Sequence, residues 1–317
     1  MTNKELFQKF SDENQDRMPF SMKFSWWNEV VLTDWEVAVV ANQSQVIAVW
    51  PYFVRKKGPW KMLSNPHFTP YCGPIINYPE GQKTDKRISF EHKIHQQLIN
   101  QLPHFSELRQ NLPLNCKNSL AFIWNDFTVQ NRFTYLLDLT QTEDSIWNNF
   151  RENIRRQIRK AEKTLKVNIH EDYSLIESTL KGSYHGQKSP YPGYESSLFE
   201  RIAIYLKKHS TGKLFKAVDE ENNVHSNLTL VWDNTSAYYL IGGADAAFKN
   251  SGALSLLMWQ AIKEAKKEGK QFFNFEGSII PSIEKYFRGF GGELSSYSNV
   301  SKHNSTSLRI AKHLKGS

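Results

Sequence analysis

The chain has 317 residues, a length that fits two domains better than one. Apolar residues make up 39% and charged residues 23%, and this balance excludes bulk disorder. The formal net charge of +8 favours anionic partners, such as nucleic acid, phosphates, nucleotide-linked substrates or an anionic membrane surface, and does not choose among them.

The hydrophobic pattern of the first half predicts mostly strands. In chain order it gives strands at residues 35–40, 46–54, 60–63 and 72–76, a helix at 88–102, and short strands at 119–124 and 133–139. In the second half it gives a long helix from 143 to 165, a strand at 167–170, helices at 173–186 and 195–209, strands at 213–219, 224–232 and 236–243, a helix at 253–268, a strand at 272–275, a helix at 282–288 and a strand at 293–300. Each half therefore reads as strands, a helix and a further apolar strand, with a boundary near residue 140.

The cysteines and the absence of long apolar runs bear on the compartment. Cys72 and Cys116 are far apart and lack a partner motif, so we expect a reducing cytoplasm, without a disulfide framework or a cysteine zinc site. His92 and His95 lie three residues apart, but no motif suggests a third ligand, so we expect no metal. No apolar run has signal-peptide or membrane-span length. We expect a soluble, cytoplasmic protein with no integral membrane segment and no DNA partner.

The long predicted helix is strongly basic. Seven Lys and Arg fall between residues 151 and 166 against two Glu, and the spacing places Arg155 and Arg159 on one face. Like charges at this spacing repel each other, and an anionic partner would relieve the repulsion. The pattern is typical of a docking strip for phosphate or RNA, and equally of the solvated face of an amphipathic helix.

A second feature is the passage from a strand containing Tyr239 into the helix that begins near Ala253. Between them lie Lys249, Ser251 and Gly252. The free N–H groups and the dipole of a helix N-terminus favour a phosphate or a developing negative charge, and the glycine lets a ligand approach the backbone. Helix capping by Ser251 is an equally good reading of the same residues.

The third feature is a buried strand that ends in Glu276. Polar groups at strand ends are common site positions, so this carboxylate is a candidate general base or a group that orients a substrate amine. A merely solvated Glu at a strand exit is the alternative. Beyond it, Arg288 stands among aromatic residues and three glycines, where it could hold an anion.

Four segments, taken in order, resemble the FemAB-like acyltransferases of the GNAT superfamily, the acetyltransferase-6 type. They are residues 153–163, the helix from Gly252 to Gly269, residues 273–278 and residues 290–292. The resemblance covers about residues 130–300 and implies two tandem GNAT-like α+β domains, at 1–140 and 141–317. Each would have a mostly antiparallel mixed sheet flanked by helices.

The resemblance also implies a function. Members transfer an acyl group from coenzyme A, or an aminoacyl group from tRNA, to an amine, so we expect acyl-CoA or aminoacyl-tRNA as co-substrate and no tightly bound cofactor. The acceptor would be a small-molecule amine or a peptidoglycan precursor, and tRNA a possible partner. A noncatalytic tRNA- or phosphate-binding module and a degenerate GNAT scaffold are the alternatives.

Site residues follow from matching these segments. The candidates are Glu276, Tyr286 and Arg288 for catalysis, Lys249, Ser251, Gly252 and Ala253 for the donor, and Arg155, Arg159, Gln187, Tyr191 and Tyr239 for the substrate. Many members carry a Phe-Lys pair a few residues before a Phe-Gly. Aligning on Phe290 places Tyr286 and Phe287 there, so a phenylalanine stands where the family has its lysine.

Overall fold

The computed structural model describes residues 1–43, 45–185 and 190–314. The chain divides into two compact units. Unit 1 comprises Met1–Arg132 together with the chain from Ser296 onward, and unit 2 comprises Phe133–Ser295. The domain limits at residues 1–140 and 141–317 stay a prediction. In the described part of the chain, no helix combines the length and the apolar character needed to cross a lipid bilayer.

Helices and strands follow one another closely along both units. The helices are α1 (Asn3–Glu13), α2 (Phe24–Trp26), α3 (Thr84–Asn100), α4 (Leu120–Ile123), α5 (Glu143–Asn149), α6 (Glu152–Ala161), α7 (Ser174–Tyr184), α8 (Ser196–His209), α9 (Ala253–Lys267), α10 (Pro281–Arg288) and α11 (Thr306–Leu314). The strands are β1 (Trp35–Ala41), β2 (Val46–Lys57), β3 (Trp60–Ser64), β4 (Ile75–Ile76), β5 (Glu107–Asn111), β6 (Thr128–Asp138), β7 (Lys166–His170), β8 (Gly212–Val218), β9 (Val224–Trp232), β10 (Ser236–Ala244), β11 (Phe272–Asn274) and β12 (Glu293–His303).

Unit 1 contains strands in the order β1-β2-β3-β5-β12, with β4 paired to β2. Neighbouring strands are antiparallel except β3 and β5, which pair in parallel between Met62–Ser64 and Glu107–Arg109. α3 lies between these two strands in sequence, as a crossover connection requires. Its residues Ile94 and Leu98 are buried in the core of this unit.

Unit 2 repeats this plan with the strand order β6-β11-β10-β9-β8-β7. Antiparallel strands lead to β10, α9 crosses over, and β11 returns parallel to β10. The prediction of a mixed, mostly antiparallel sheet flanked by helices in each half is confirmed. In the first half the strand that follows the crossover helix is β5, which the hydrophobic pattern did not predict.

The core of unit 2 lies between its sheet and the helices α6 and α9. The apolar stripe of the basic segment is buried there, with Ile146, Phe150, Ile154, Ile158, Ala161 and Leu165 all in one cluster. α9 adds Leu257, Ala261 and Ile262, and the sheet adds Leu228 and Leu230. Side chains of this size each contribute about 1.5–3 kcal/mol when fully buried, so the stripe fixes α6 against α9.

The prediction of one helix from residue 143 to 165 is wrong, because the chain is extended at Phe150 and Arg151, between α5 and α6. The Arg151 N–H donates to the carbonyl of Gly289 at 2.8 Å, outside any helix. The apolar spacing continues across the break, so the hydrophobic pattern gives no sign of it.

Residues 119–124 are not a strand, as the pattern predicted, but contain the short helix α4. The side-chain oxygen of Asn118 accepts a hydrogen bond from the Leu120 N–H at 3.2 Å, which stabilises the first turn. Ala121 and Phe122 are buried, whereas Leu120 and Ile123 are exposed, a helical spacing rather than an alternating one. Short apolar runs do not distinguish the two structures.

Candidate functional site

The two parallel strands β10 and β11 of unit 2 pair over a short stretch only. They pair only from Ser236–Tyr238 to Phe272–Asn274, after which β11 ends and β10 continues to Ala244. The register of β10 against β9 also shifts between Tyr239 and Ile241, a β-bulge. Bulges re-aim side chains and backbone groups and are common next to active sites. Beyond Tyr238, β10 therefore has no described strand beside it on the β11 side, and we call this place the opening.

The N-terminus of α9 lies directly after this opening. Gly252 precedes the helix with φ of +83°, and the Ser251 hydroxyl accepts a hydrogen bond from the Ala253 N–H at 3.2 Å. The Leu256 N–H donates to the carbonyl of Gly252, so the N–H groups of Leu254 and Ser255 have no acceptor within the helix. They lie at the positive end of the helix dipole. A Cβ on Gly252 would lie 2.7 Å from the carbonyl oxygen of Gln157. The glycine therefore serves the close packing of α6 as well as the turn.

Two lysines adjoin this helix terminus. The Nζ of Lys160, on α6, donates to the carbonyl of Asn250 at 3.4 Å, and the Nζ of Lys249 donates to the carbonyl of His185 at 2.9 Å. Both side chains are exposed. Together with the helix dipole, they make this rim attractive to a phosphate.

A cavity of about 540 Å³ joins these features. It brings together the four residues predicted for the donor, Lys249, Ser251, Gly252 and Ala253, with one predicted catalytic residue, Tyr286. Residues that the sequence did not single out complete the lining, among them Gln157, Ser183, His185, Phe248 and Ser255. The cavity size is typical of a small-molecule or cofactor site.

A hydrogen-bonded chain of side chains forms one wall of the cavity. The Ser255 hydroxyl donates to Oε1 of Gln157 at 2.8 Å, and the Tyr286 hydroxyl lies 3.2 Å from Oγ of Ser255. The Ser255 hydroxyl has one hydrogen, which it donates to Gln157. In its contact with Tyr286 it therefore accepts, and the Tyr286 hydroxyl donates. Burial raises the pKa of Tyr286, so the phenol keeps its proton at neutral pH. In the sequence, the only sign of this series of hydrogen bonds is a serine on the buried face of α9.

Aromatic rings fill the space behind Tyr286. Tyr239 meets the ring of Phe287 at 5.5 Å, and Phe275 lies 5.8 Å from the same ring. Phe287, at the position of the family lysine, is 6% exposed. Burial raises the pKa of Tyr239 as well. Tyr239 is not among the described residues that line the cavity, and its substrate role stays a prediction.

Glu276 lies just past the end of β11 and is not among the described residues that line the cavity. Its φ is +61°, a conformation that non-glycine residues rarely adopt. Its N–H donates to Oδ1 of the buried Asn274 at 2.8 Å, and that oxygen also accepts from Thr134. In the part of the chain that is described, its own Oε1 is buried without a hydrogen-bond partner. Burial raises the pKa of this carboxyl well above its ordinary value.

The predicted arginines lie away from the cavity. Arg155 and Arg159 both approach Glu152, at 2.7 and 3.8 Å, so their mutual repulsion is partly relieved within α6. Arg288 is exposed and donates to Glu284 at 2.8 Å. None of these three side chains is among the described residues that line the cavity.

The predicted substrate residues between α7 and α8 are only partly described. Tyr191 packs its ring against Tyr184 and Tyr194, at 5.7 and 5.5 Å, and lines no part of the cavity wall described here. Gln187 lies outside the described residues. The site roles of both residues stay predictions.

One family model matches part of the chain. Residues 148–288, which include every described residue that lines the cavity, match the family model described as acetyltransferase (GNAT) domain. No curated protein matches the chain.

Similar solved structures cover nearly the whole chain at low identity. FemX has a TM-score of 0.66 and 14% identity, over 98% of both chains. The C-terminal domain of a putative lysylphosphatidylglycerol synthetase from Agrobacterium fabrum has a TM-score of 0.55 and 9% identity, over 98% of this chain and 96% of that one. A tandem GNAT protein from the clavulanic acid biosynthesis pathway has a TM-score of 0.53 and 8% identity, over 86% and 84%. The chain shares their fold, and residues 148–288 form a domain of the acetyltransferase (GNAT) type.

Proposed function

We propose that the protein transfers an acyl or aminoacyl group from an activated donor, acyl-CoA or aminoacyl-tRNA, to an amine. The observation that carries the proposal is the 540 Å³ cavity, because it joins the N-terminus of α9 to the hydroxyl of Tyr286. The first can hold the phosphates of a donor, and the second can meet its leaving group. Both donors carry phosphates, so the cavity suits either one.

Donor binding follows from the charge at the rim. A phosphate at the first turn of α9 would accept hydrogen bonds from the amides of Leu254 and Ser255. Lys249 and Lys160 add two positive charges from neighbouring elements. This arrangement holds the donor by its phosphates and leaves its acyl end free to enter the opening between β10 and β11.

The chemistry is the attack of an amine on the carbonyl of the donor. A bond forms between nitrogen and the carbonyl carbon, and the bond from that carbon to the donor's sulfur or oxygen breaks. Backbone N–H groups at the β10 bulge would stabilise the oxyanion of the tetrahedral intermediate. Glu276 would take the amine proton, since its raised pKa suits a base for an ammonium group. Tyr286 would protonate the leaving thiolate or alkoxide.

The acceptor is proposed from the family resemblance alone. It is a small-molecule amine or the amine of a peptidoglycan precursor. The side of the opening that carries Glu276 would receive this amine, opposite the donor rim. Phe287 occupies the family's lysine position with a buried ring, so a lysine at that position takes no part in the transfer.

A thermal-shift screen coupled to mass spectrometry tests the proposal. Acetyl-CoA, longer acyl-CoA esters and aminoacyl-tRNA are added separately, because a ligand that binds the native state raises the melting temperature. UDP-linked muramyl peptides and simple amines are then added as acceptors, and the product mass is measured. We expect one donor to shift the melting temperature and to yield an amide. A screen in which no donor binds and no amide forms would refute the transferase assignment.

A further inference from the structure

An exposed apolar wedge stands on unit 1, where the short helix α4 packs on α3. Four apolar side chains there are largely solvent-accessible: Ile88 at 41%, Leu120 at 45%, Ile123 at 51% and Trp124 at 62%. We name these four residues the α3–α4 wedge. Single exposed apolar residues are common. A tryptophan and three aliphatic residues on two contacting helices form an apolar patch of the kind that marks an interaction site.

The wedge is held rigidly. At its base, the side-chain amide of Asn118 donates to Glu91 at 2.9 Å. At its tip, the ring of Trp124 meets His92 at 4.6 Å. Past the tip, the side chains of Gln96 and Asn125 exchange two hydrogen bonds, of 3.0 and 2.7 Å. These contacts fix α4 and the Trp124 ring against α3, so the wedge backbone loses little entropy on binding.

A cationic cavity of about 210 Å³ adjoins the wedge. Three cations line it, Arg17, Arg87 and Lys117, against one described carboxylate, Glu91. Glu91 accepts from the Tyr78 hydroxyl at 2.7 Å and from Asn118, and its Oε1 lies 3.9 Å from Nε of Arg87, so it offsets one of the three positive charges. The cavity keeps an excess of positive charge that an anion would neutralise.

A buried histidine gives the cavity an unused polar atom. His95 is 2% exposed and lines the cavity, and its Nδ1 has no hydrogen-bond partner among the described residues. Lys117 and Asn118 line the same cavity and stand three and two positions before the wedge residue Leu120. The polar cavity and the apolar wedge are thus neighbouring parts of one face.

We propose that this face of unit 1 docks on the surface of an anionic phospholipid bilayer. The headgroup phosphate of one lipid would enter the cavity, between Arg17, Arg87 and Lys117. The wedge would insert its aliphatic side chains and the Trp124 ring at the level between headgroups and acyl chains, where tryptophan is favoured. Asp126, which follows the wedge, lies 4.0 Å from Nζ of Lys302, so its charge is partly compensated.

A bilayer fits these observations better than RNA does. Cations alone would suit either partner, because both carry phosphates. The aliphatic residues Ile88, Leu120 and Ile123 decide between them, since they gain free energy in the interfacial region of a membrane and offer no planar surface on which a base can stack. The proposal concerns unit 1 and does not depend on the transferase chemistry.

Vesicle co-sedimentation of the full chain tests the docking surface. Vesicles of phosphatidylcholine alone are compared with vesicles that also contain about 30% phosphatidylglycerol. We expect binding to the anionic vesicles only, weakened by salt. Arg87→Gln with Lys117→Gln should reduce the partition coefficient roughly 25-fold, at about five-fold for each cation. Ile123→Ser with Trp124→Ala should reduce it by at least about ten-fold.

Matched variants separate this face from general charge and apolarity. Lys163→Gln with Lys166→Gln removes two exposed cations from unit 2, and Ile204→Ser removes a side chain that is 57% exposed there. Both should bind anionic vesicles as the unchanged protein does. Circular dichroism and melting temperature check that every variant folds.

Three results would overturn the proposal. The first is no binding to anionic vesicles, or binding that the cavity and wedge variants do not change. The second is binding of a fluorescent tRNA that these variants abolish while vesicle binding is absent, which would assign the face to RNA. The third is a melting-temperature increase with inorganic phosphate or glycerol phosphate that needs Arg87 and Lys117, without vesicle binding, which would leave only a site for a free phosphate.

Discussion

The hydroxyl of Tyr286 lies 3.2 Å from Oγ of Ser255, and this contact joins α10 to the first turn of α9. The Ser255 hydroxyl donates a hydrogen bond to Oε1 of Gln157 on α6, so three helices meet in one hydrogen-bonded series at the cavity wall. The same turn of α9 supplies amides for a donor phosphate. The proposed proton donor, Tyr286, and the proposed binding site for the donor phosphates therefore both depend on the first turn of α9.

Tyr286→Phe tests the proton-donor role. The variant keeps the aromatic ring, which packs on Phe290 at 5.3 Å, and removes only the hydroxyl. If Tyr286 protonates the leaving group, kcat should fall by about 10²-fold, while KM for the donor changes little. Steady-state transfer kinetics measure both constants. Tyr173→Phe, at an exposed position, is the control, and equal kcat values for the two variants would remove Tyr286 from the mechanism.

Gly252→Ala tests the tight approach of α6 to the α9 terminus. Alanine at φ of +83° costs about 1–2 kcal/mol, and its Cβ would lie 2.7 Å from the Gln157 carbonyl oxygen. Gly269→Ala is a matched control, because Gly269 has φ of +73° with open space around it. We expect urea unfolding to show a loss at Gly252 that exceeds the loss at Gly269 by about 1–3 kcal/mol. Equal losses would mean that the backbone of α6 adjusts without cost.

Lys249→Ala tests the donor rim. Lys249 is exposed, and its ammonium group donates to the carbonyl of His185, so its removal should leave the fold intact. We expect KM for a phosphate-bearing donor to rise about ten-fold, with kcat within about two-fold, because the charge acts on binding rather than on the reacting atoms. Lys267→Ala, at the exposed far end of α9, should change neither constant. An unchanged KM in Lys249→Ala would place the donor phosphates elsewhere.

The order of elements in unit 2 could be predicted because its signals are local. Alternating and helical apolar spacings gave β8, β9, β10 and α9, and Gly269 ended the last of these as expected. The break at Phe150 could not be predicted, since the apolar stripe runs through it in phase and its cause is a hydrogen bond to the distant Gly289. α4 was missed because a four-residue apolar run fits a strand as well as a helix.

The site was predictable where it is contiguous in sequence and not where it is assembled from several helices. Residues 249–253 line the cavity together because a strand-to-helix passage keeps them adjacent. Gln157 and Ser255 meet Tyr286 only through tertiary packing, so neither stood out in the sequence. Glu276 was singled out for its place at a strand end. Its positive φ, and its carboxyl oxygen buried without a partner among the described residues, depend on surroundings that no local pattern reports.

Glu276→Gln tests the base and the effect of its burial. Folding raises the pKa of this carboxyl above its ordinary 4.5, so the unfolded chain ionises first as pH rises. Its contribution to stability is present below pH 4.5 and is lost as pH increases through the raised value. The free energy of unfolding of the variant should therefore decline less than that of the unchanged protein above pH 4.5. Its transfer rate should fall by about 10²-fold.

A control and two measurements make this test decisive. Glu293→Gln, at an exposed position, should alter neither the pH dependence of unfolding nor the rate. A Glu276→Gln enzyme with full activity would exclude Glu276 as the base, even if its stability changes as expected. Parallel pH–stability curves for the two variants would show that the carboxyl is not desolvated.

His95→Gln tests the buried histidine of unit 1 by its acid sensitivity. Desolvation lowers the pKa of His95 to about 4, from its ordinary 6.5, so the unfolded chain takes up a proton first as pH falls. The unchanged protein should lose on the order of 3 kcal/mol of unfolding free energy between pH 6.5 and pH 4 through this group, a loss that glutamine cannot suffer. Urea unfolding at several pH values in this range gives the two curves. His104→Gln, at an exposed position, should follow the unchanged protein. If His95→Gln follows it too, the folded protein protonates His95 as readily as the unfolded chain does, and this histidine is not desolvated.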